Sequence, residues 1–383
     1  MKKNLKRKIV LVITLKLLLV SMLILIFNFQ QAKATGTIYI RTDGSIDPPT
    51  ANITRVGDFT YIFTDNNYDE IVVESSNIII DGNGYELQGS GSGNGFNLTN
   101  VSNVTIQNGN ITGFFYGIYF DSTSYSTFSG NEIRRSDGWG SHDAGIYLTG
   151  LSAYNMISGN KIAEKGNGIR LEGYGFGVYS HNNTVLSNEI ESNYVNGIYI
   201  DASTDNSILG NNVSSNGFSF IEGNGIILYA SSNNTIAGNN VRSNKNGIRV
   251  YGWASNNNIT ENDITENENG IVLDGDVTNT NNLFYHNNFV GNAVHVAIIG
   301  GGHPVNVWDN GSEGNYWDDY LEKYPNATEI DGTGIWDTPY VIDENNQDNY
   351  PIVPEFPSLL ILPIFMMAAL VAAILYIKER PQT

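Results

Sequence analysis

The chain has 383 residues, only 15% of them charged, with a formal net charge of −19, 41 glycines, 52 asparagines and no cysteine. The missing cysteine excludes disulfides, thiolate metal sites and cysteine nucleophiles. The acidic balance argues against a nucleic-acid partner, whose binding needs a positive patch.

Residues 1–34 open with a basic KKNLKRK, continue as an apolar run broken by Lys16, and finish on Ala32-Lys33-Ala34. This is the pattern of a secretory signal peptide cut after Ala34, with an uncleaved membrane anchor as the competing reading of the long apolar run. Once these seven basic residues and the net +1 tail after residue 356 are set aside, residues 35–356 carry −27. Residues 35–70, with IYIRTDGSIDPP, have no repeat register and are expected to form an N-terminal cap.

From about residue 71 to 300 the chain repeats. A Gly-apolar-x-apolar unit begins at Gly95, Gly117, Gly145, Gly168, Gly197, Gly225, Gly247 and Gly270, a base period of 22–23 residues with about six extra in three of the units. Within each unit runs N-x-I-x-x-N-x-I-x-x-N, as in Asn206, Asn211 and Asn216. Asparagine is poor in helices and in strands, so a spaced row of it points to chain corners. Three short apolar segments per period cannot each bury a face alone. Coiled, each pairs with its copy about 4.8 Å along the axis. The pattern predicts an all-β fold, a right-handed single-stranded parallel β-helix with three strands per 22–23-residue coil. The asparagines are expected at the corners in left-handed geometry, their amides bonding from coil to coil.

Residues 301–353 lose the register and are rich in Trp, Tyr, Asp and Pro, as a C-terminal cap would be. Beyond them, Pro354-Glu355-Phe356 precedes an apolar run from Leu359 to Ile377, followed by Lys378 and Arg380. Nineteen apolar residues match a hydrocarbon core of about 30 Å, and the basic flank favours the cytoplasmic side. Both ends together predict an exported protein on the extracellular face of the cell membrane, anchored at its C-terminus. Eleven Asn-x-Ser/Thr triplets between Asn52 and Asn326 offer glycosylation sites in an exported chain.

The repeats GIYL…NMISGNKI and GIIL…NNTIAGNNV resemble the NosD-like right-handed parallel β-helix proteins, the carbohydrate-binding and sugar-hydrolase repeat group, over about 230 residues. GNYWDDY at Gly314–Tyr320 and DTPYVID at Asp337–Asp343 resemble the tail of archaeal members. Pro354-Glu355-Phe356 before the apolar span resembles a PEF-type sorting signal, which implies an archaeosortase as partner. The resemblance also implies a calcium loop where Asp331-Gly332-Thr333-Gly334-Ile335-Trp336-Asp337 matches an Asp-Gly-Asp-Gly-Ile-Gly-Asp pattern. Here Thr333 and Trp336 depart from that pattern, leaving Asp331 and Asp337 as calcium ligands and an aromatic-stacked cap as the competing reading. The family's copper label finds little support in the sequence. The five histidines are scattered, and copper needs converging His, Cys or Met.

In Gly-Ile-x-Leu the x side chain alternates outward. That column reads Tyr119, Tyr147, Arg170, Tyr199, Ile227, Arg249 and Val272, and two residues on stand Glu172 and Asp201. Aromatic rows suit sugar rings, and paired carboxylates suit acid/base work or cation binding. Three insertions add Trp139 and Tyr174 among other aromatics, on loops of the kind that carry function. The expected ligand-binding set is thus Tyr119, Tyr147, Arg170, Tyr199, Trp139 and Tyr174. The catalytic alternative rests on Glu172, Asp201 and Arg170. No Gly-His-Gly or Asp-Pro-His segment of the pectinase or uronan-epimerase kind accompanies them. The leading expectation is a non-catalytic surface protein that binds polysaccharide or other envelope components. The alternatives are a polysaccharide lyase, hydrolase or epimerase, and a copper accessory protein. A solvated strand face with no ligand remains open beside them.

Overall fold

The computed structural model describes residues 36–135, 142–174, 177, 179–217, 223–275 and 278–353. Within one coil Asn196–Asp201 lies in a first sheet, Ser207–Leu209 in a second and Asn212–Ser214 in a third. Each strand pairs in parallel with its copies on either side. Ile198 sits between Ile169 and Ile226, Ile208 between Val185 and Ile236, and Val213 between Ile190 and Val241. The three sheets contain 12, 11 and 10 strands, so the solenoid anticipated from the period is the observed architecture. The core is the stack of inward side chains. Ile198, Ile200, Ile208 and Val213 are all fully buried, as are their counterparts in the neighbouring coils.

The corners explain the asparagines. Asn211 donates both its backbone N–H and its Nδ2 to Asn239 Oδ1 of the next coil, each at 2.9 Å, and its Nδ2 also reaches Val185 O of the coil before at 2.9 Å. The same arrangement runs from Asn131 to Asn315, from Asn155 to Asn306 and from Asn193 to Asn292. The left-handed bend, however, falls on the residue before the ladder asparagine in every coil from Asn131 to Asn292. Ser187, Gly210, Gly238 and Glu261 have φ of 54°, 59°, 63° and 57°, just ahead of Asn188, Asn211, Asn239 and Asn262. The ladder side chain must point inward to reach the neighbouring coil, so its predecessor turns the chain. Tyr125 and Tyr154 hold such bends at φ 56° and 58°, with their exposed rings stacked 5.1 Å apart.

A fourth file, not separated out in the sequence reading, opens the strands of the first sheet. Nδ2 of Asn196, Asn224, Asn246 and Asn269 donates to Oδ1 of the asparagine one coil earlier at 2.8–3.0 Å. Its polarity is opposite to that of the corner ladders. The glycine that follows these asparagines is required for space rather than for φ. A Cβ on Gly197 would come within 2.5 Å of Val213 Cγ1 and 2.6 Å of Gly225 O, inside any allowed contact.

Both open ends are covered, as sheet edges must be. At the N-terminal end Ile38–Ile40 and Thr60–Phe63 already pair in parallel with the following coil. Two further strands, Ile46–Asp47 and Ile53–Val56, lie antiparallel to them, so the expected cap is itself part coil. At the C-terminal end Trp308 stacks on Phe284 at 4.3 Å, Trp317 on Phe289 at 4.3 Å and Tyr340 on Trp317 at 4.1 Å. The ladders finish in the same place, with Asn346 accepting from Asn306 N and Asp348 from Asn315 N. The expected signal segment, apolar span and Pro354-Glu355-Phe356 lie outside the described residues. Among the described residues no helix is long and apolar enough to cross a membrane.

If the ladders carry the corners, Asn239→Val strands the Asn211 N–H and one of the two Asn211 amide hydrogens, the other still reaching Val185 O, and removes the Nδ2 bonds to Ile208 O and Asn262 Oδ1. Urea unfolding should then show a loss of about 2–4 kcal/mol. Asn240→Thr, on the outward side of the adjoining strand, should change stability by less than about 1 kcal/mol.

Candidate functional site on the first sheet

The outward face of the first sheet gathers six of the residues singled out from the sequence. Tyr116–Asp121, Ala144–Thr149, Asn167–Glu172 and Asn196–Asp201 are consecutive strands, and their register sets Tyr119 beside Tyr147, Tyr147 beside Arg170, Arg170 beside Tyr199 and Glu172 beside Asp201. The Arg170 guanidinium stands over both flanking rings, 5.3 Å from the centre of Tyr147 and 5.2 Å from that of Tyr199. Its Nη2 lies 2.8 Å from Glu172 Oε2, and the Tyr147 hydroxyl donates to that same oxygen. The Tyr199 hydroxyl donates to Asp201 Oδ2 at 3.0 Å.

Tyr119 continues the aromatic row, its ring 5.6 Å from that of Tyr147. The row has one more member that sequence reasoning missed. Tyr116 lies 4.8 Å from Tyr147 and 5.6 Å from Tyr119. It occupies the position that carries the asparagine file farther along the chain, and that departure from Asn was the available signal.

Burial tunes these groups. Desolvation raises Asp201 to about 6, a shift partly offset by the Tyr199 hydrogen bond. Desolvation also raises Tyr119 to about 12 and pushes Tyr147 and Tyr199 higher still, the last two aided by their carboxylate partners. Tyr174, 57% exposed, stands near enough to add to the Tyr119 shift. Trp139 lies outside the described residues.

Strand alternation alone would leave the outward column more solvated than it is. Arg170, Ile227, Arg249 and Val272 are only 8%, 7%, 7% and 2% exposed. Arg170 lies between Tyr147 and Tyr199, Ile227 between Tyr199 and Arg249, and Arg249 between Ile227 and Val272, held to Asp274 at 2.8 Å. Of the Gly-Ile-x-Leu column, the accessible part is therefore its tyrosine end, and farther along the face the exposed Tyr251 packs on Tyr229 at 5.0 Å.

The other predicted positions behave differently. Asp337 accepts from Thr328 Oγ1 at 2.8 Å and Thr338 Oγ1 at 2.9 Å, and these bonds, with that from the Thr328 N–H, lower its pKa. Asp331 is an exposed turn residue, and no third ligating group joins the two aspartates among the described residues. Sequence reasoning also left His295 unassigned and read Asp318-Asp319 only as part of a tail motif. The structure brings all three together at the C-terminal end of the rod.

A family model described as periplasmic copper-binding protein (NosD) matches residues 54–220 and 174–322. The chain belongs to the NosD family. Among solved structures this NosD-family chain resembles the Azotobacter vinelandii mannuronan C-5 epimerase AlgE6 A-module, at 15% identity over 66% of this chain and 80% of that one, with a TM-score of 0.46. It also resembles the periplasmic alginate epimerase AlgG, at 15% identity, 70% and 84% coverage and a TM-score of 0.43. Bacteriophage CBA120 tailspike protein 2 follows at 12% identity, 65% and 43% coverage and a TM-score of 0.45. At these identities the likeness concerns the coiled fold and lends nothing to the chemistry. No curated protein matches the sequence.

The copper of the family description can be tested against the residues present. A soft copper(I) site wants several His, Met or Cys ligands. The chain has no cysteine. Among the described residues the one methionine, Met156, is exposed, while His286 and His303 each face one carboxylate, His295 two, and His181 an asparagine amide. A copper(I) centre does not fit these residues.

The raised pKa of Asp201 has a stability consequence. Its folded pKa of about 6 exceeds the ordinary 3.8, so ionised Asp201 opposes folding. The penalty is absent below about pH 4, grows as pH rises, and is complete above about pH 6. Relative to the parent, Asp201→Asn should therefore gain about 1–2 kcal/mol between pH 4 and pH 7, after allowance for solvent screening. Denaturant midpoints of the two proteins across that range measure it.

Proposed function

We propose that the chain is an exported β-helix protein, anchored at its C-terminus, that holds a saccharide of the cell envelope or its surroundings on the tyrosine end of the first sheet, without turnover. The observation that carries this reading is the contiguous row of Tyr116, Tyr119, Tyr147 and Tyr199 with Arg170 wedged between the last two. Sugar rings offer apolar C–H faces to aromatic rings and hydroxyl edges to charged groups. Here half-buried rings lie beside the Glu172 and Asp201 carboxylates and a guanidinium whose buried Nε has no hydrogen-bond partner among the described residues. The scaffold is rigid, so little ordering cost opposes binding.

The hydrogen bonds favour binding over catalysis at Glu172. Its Oε2 is shared by Arg170 and Tyr147, which hold it in place and occupy it. Asp201, whose carboxyl burial raises to about 6, is where an enzymatic reading would have to rest.

A glycan array and turnover assay on the protein separate these readings. Binding of at least one acidic or neutral glycan is expected, with a loss of at least about tenfold in the Tyr147→Ala/Tyr199→Ala variant, the scale of removing two ring contacts. No cleavage, elimination or epimerised product should form. Turnover that disappears in Asp201→Asn would move the assignment to an enzyme. Full retention of binding in the double variant would remove the site from this face.

A further inference from the structure

The last strand of the first sheet, Val294–Ile299, carries His295 beneath the C-terminal cap. Its imidazole is only 7% exposed and packs between the rings of Phe289, at 6.0 Å, and Trp317, at 5.9 Å. Tyr316–Trp317 pairs in parallel with Asn288–Phe289, which delivers the next two residues, Asp318 and Asp319, to the edge of that imidazole. His295 Nε2 lies 2.9 Å from Asp318 Oδ1 and 3.3 Å from Asp319 Oδ1.

The remaining contacts leave the same three atoms converging. Asp318 Oδ2 accepts from the Gly291 N–H at 2.6 Å, and Asp319 Oδ2 from the Tyr340 hydroxyl at 3.0 Å. Each carboxylate is thus held by one oxygen and presents the other to the imidazole. Asp319 Oδ1 is buried with no hydrogen-bond partner among the described residues, and so is His295 Nδ1, which leaves Nε2 as the polar engagement of that ring. The cavity beside them has a volume of about 340 Å³ and is also lined by Lys323. That ammonium donates to Val341 O at 2.5 Å over the Tyr340 ring and lies near enough to Asp319 to feel its charge, so a bound cation must compete with it.

We propose that His295 Nε2, Asp318 Oδ1 and Asp319 Oδ1 bind one divalent cation of borderline hardness, such as Zn2+, which fastens the cap to the last coil. Bonds of about 2.0–2.1 Å to a tetrahedral ion place its ligand atoms roughly 3.3 Å apart, close to the observed separations. One imidazole and two carboxylates are a three-ligand set that leaves a fourth position open to the cavity. The set is too poor in oxygen for Ca2+, which takes about 6–8 such ligands. It lacks the soft donors of copper(I), whereas Cu2+ accepts nitrogen and oxygen and should bind more tightly than Zn2+ by the usual order of divalent affinities. The missing partner on Nδ1 weakens the site, since such support is worth about 10–100-fold in affinity. This inference is independent of the saccharide reading, whose residues lie on other coils.

The test is calorimetric titration of the intact protein with Zn2+, in excess Mg2+ to occupy the acidic surface. Electron paramagnetic resonance of the Cu2+-loaded protein accompanies it. One equivalent of Zn2+ is expected, weakened at least about tenfold in His295→Gln and in Asp318→Asn, with hyperfine coupling to a single imidazole nitrogen in the Cu2+ spectrum. Circular dichroism checks that both variants remain folded, and the spectrum of the unaltered protein needs no variant at all. Absence of Zn2+ binding to the folded parent, undiminished binding in His295→Gln, or a Cu2+ spectrum without nitrogen coupling would each overturn the proposal.

Discussion

Each corner of a β-helix leaves a backbone N–H that no strand can serve, because the chain is turning out of one sheet and into the next. A buried donor without an acceptor costs about 1–3 kcal/mol, and a rod of many coils would repeat that cost at every turn. Here the acceptor is the side chain of the coil ahead, as when Asn211 N and Asn211 Nδ2 both donate to Asn239 Oδ1. Asparagine is suited to this because its amide supplies an acceptor for the coil behind and donors for the coil ahead. The three corner ladders fix the coil-to-coil register. The inward Ile and Val columns then add the apolar burial that stabilises the stack.

This division of labour frees the outside of the sheets. Inward positions answer to packing and corner positions to the ladders, while outward positions can vary from coil to coil at little cost to the fold. On the first sheet that freedom is used unevenly. Four tyrosines and Arg170 occupy the coils from Tyr116 to Asp201, and farther on Ile227, Arg249 and Val272 close over into buried surface. The C-terminal cap obeys a second constraint, to cover the last coil. The Trp308 and Trp317 rings do so by stacking on the Phe284 and Phe289 columns. In passing, the cap carries two carboxylates to His295.

Much of the solenoid was legible in the sequence because its neighbours are related by a fixed period. The columns through Phe128, Ile157 and Val185 are read off by counting, and the structure pairs those same residues. What lay beyond counting is informative. The placement of the left-handed bend on Ser187 and Glu261 rather than on Asn188 and Asn262 depends on which way a side chain must point, and period alone does not fix that. The burial of Arg170 and Arg249 depends on the bulk of lateral neighbours. The meeting of His295 with Asp318 and Asp319 joins a residue in register to two outside it, so no spacing rule could connect them. NosD-family membership was likewise readable from the repeats, whereas the chemistry of the tyrosine face required the geometry.

The central claim is that inward-pointing ladder asparagines, and not merely a high asparagine content, hold the coils together. Side-chain amide hydrogen exchange measured by nuclear magnetic resonance on the folded protein tests it most directly. The Nδ2 hydrogens of Asn211, Asn239 and Asn262, bonded on both sides and buried, should exchange far more slowly than those of Asn233 and Asn256, exposed at the left-handed bends. Equal and rapid exchange at both sets would mean that the ladders are not formed, and the account of the corners would fail with them.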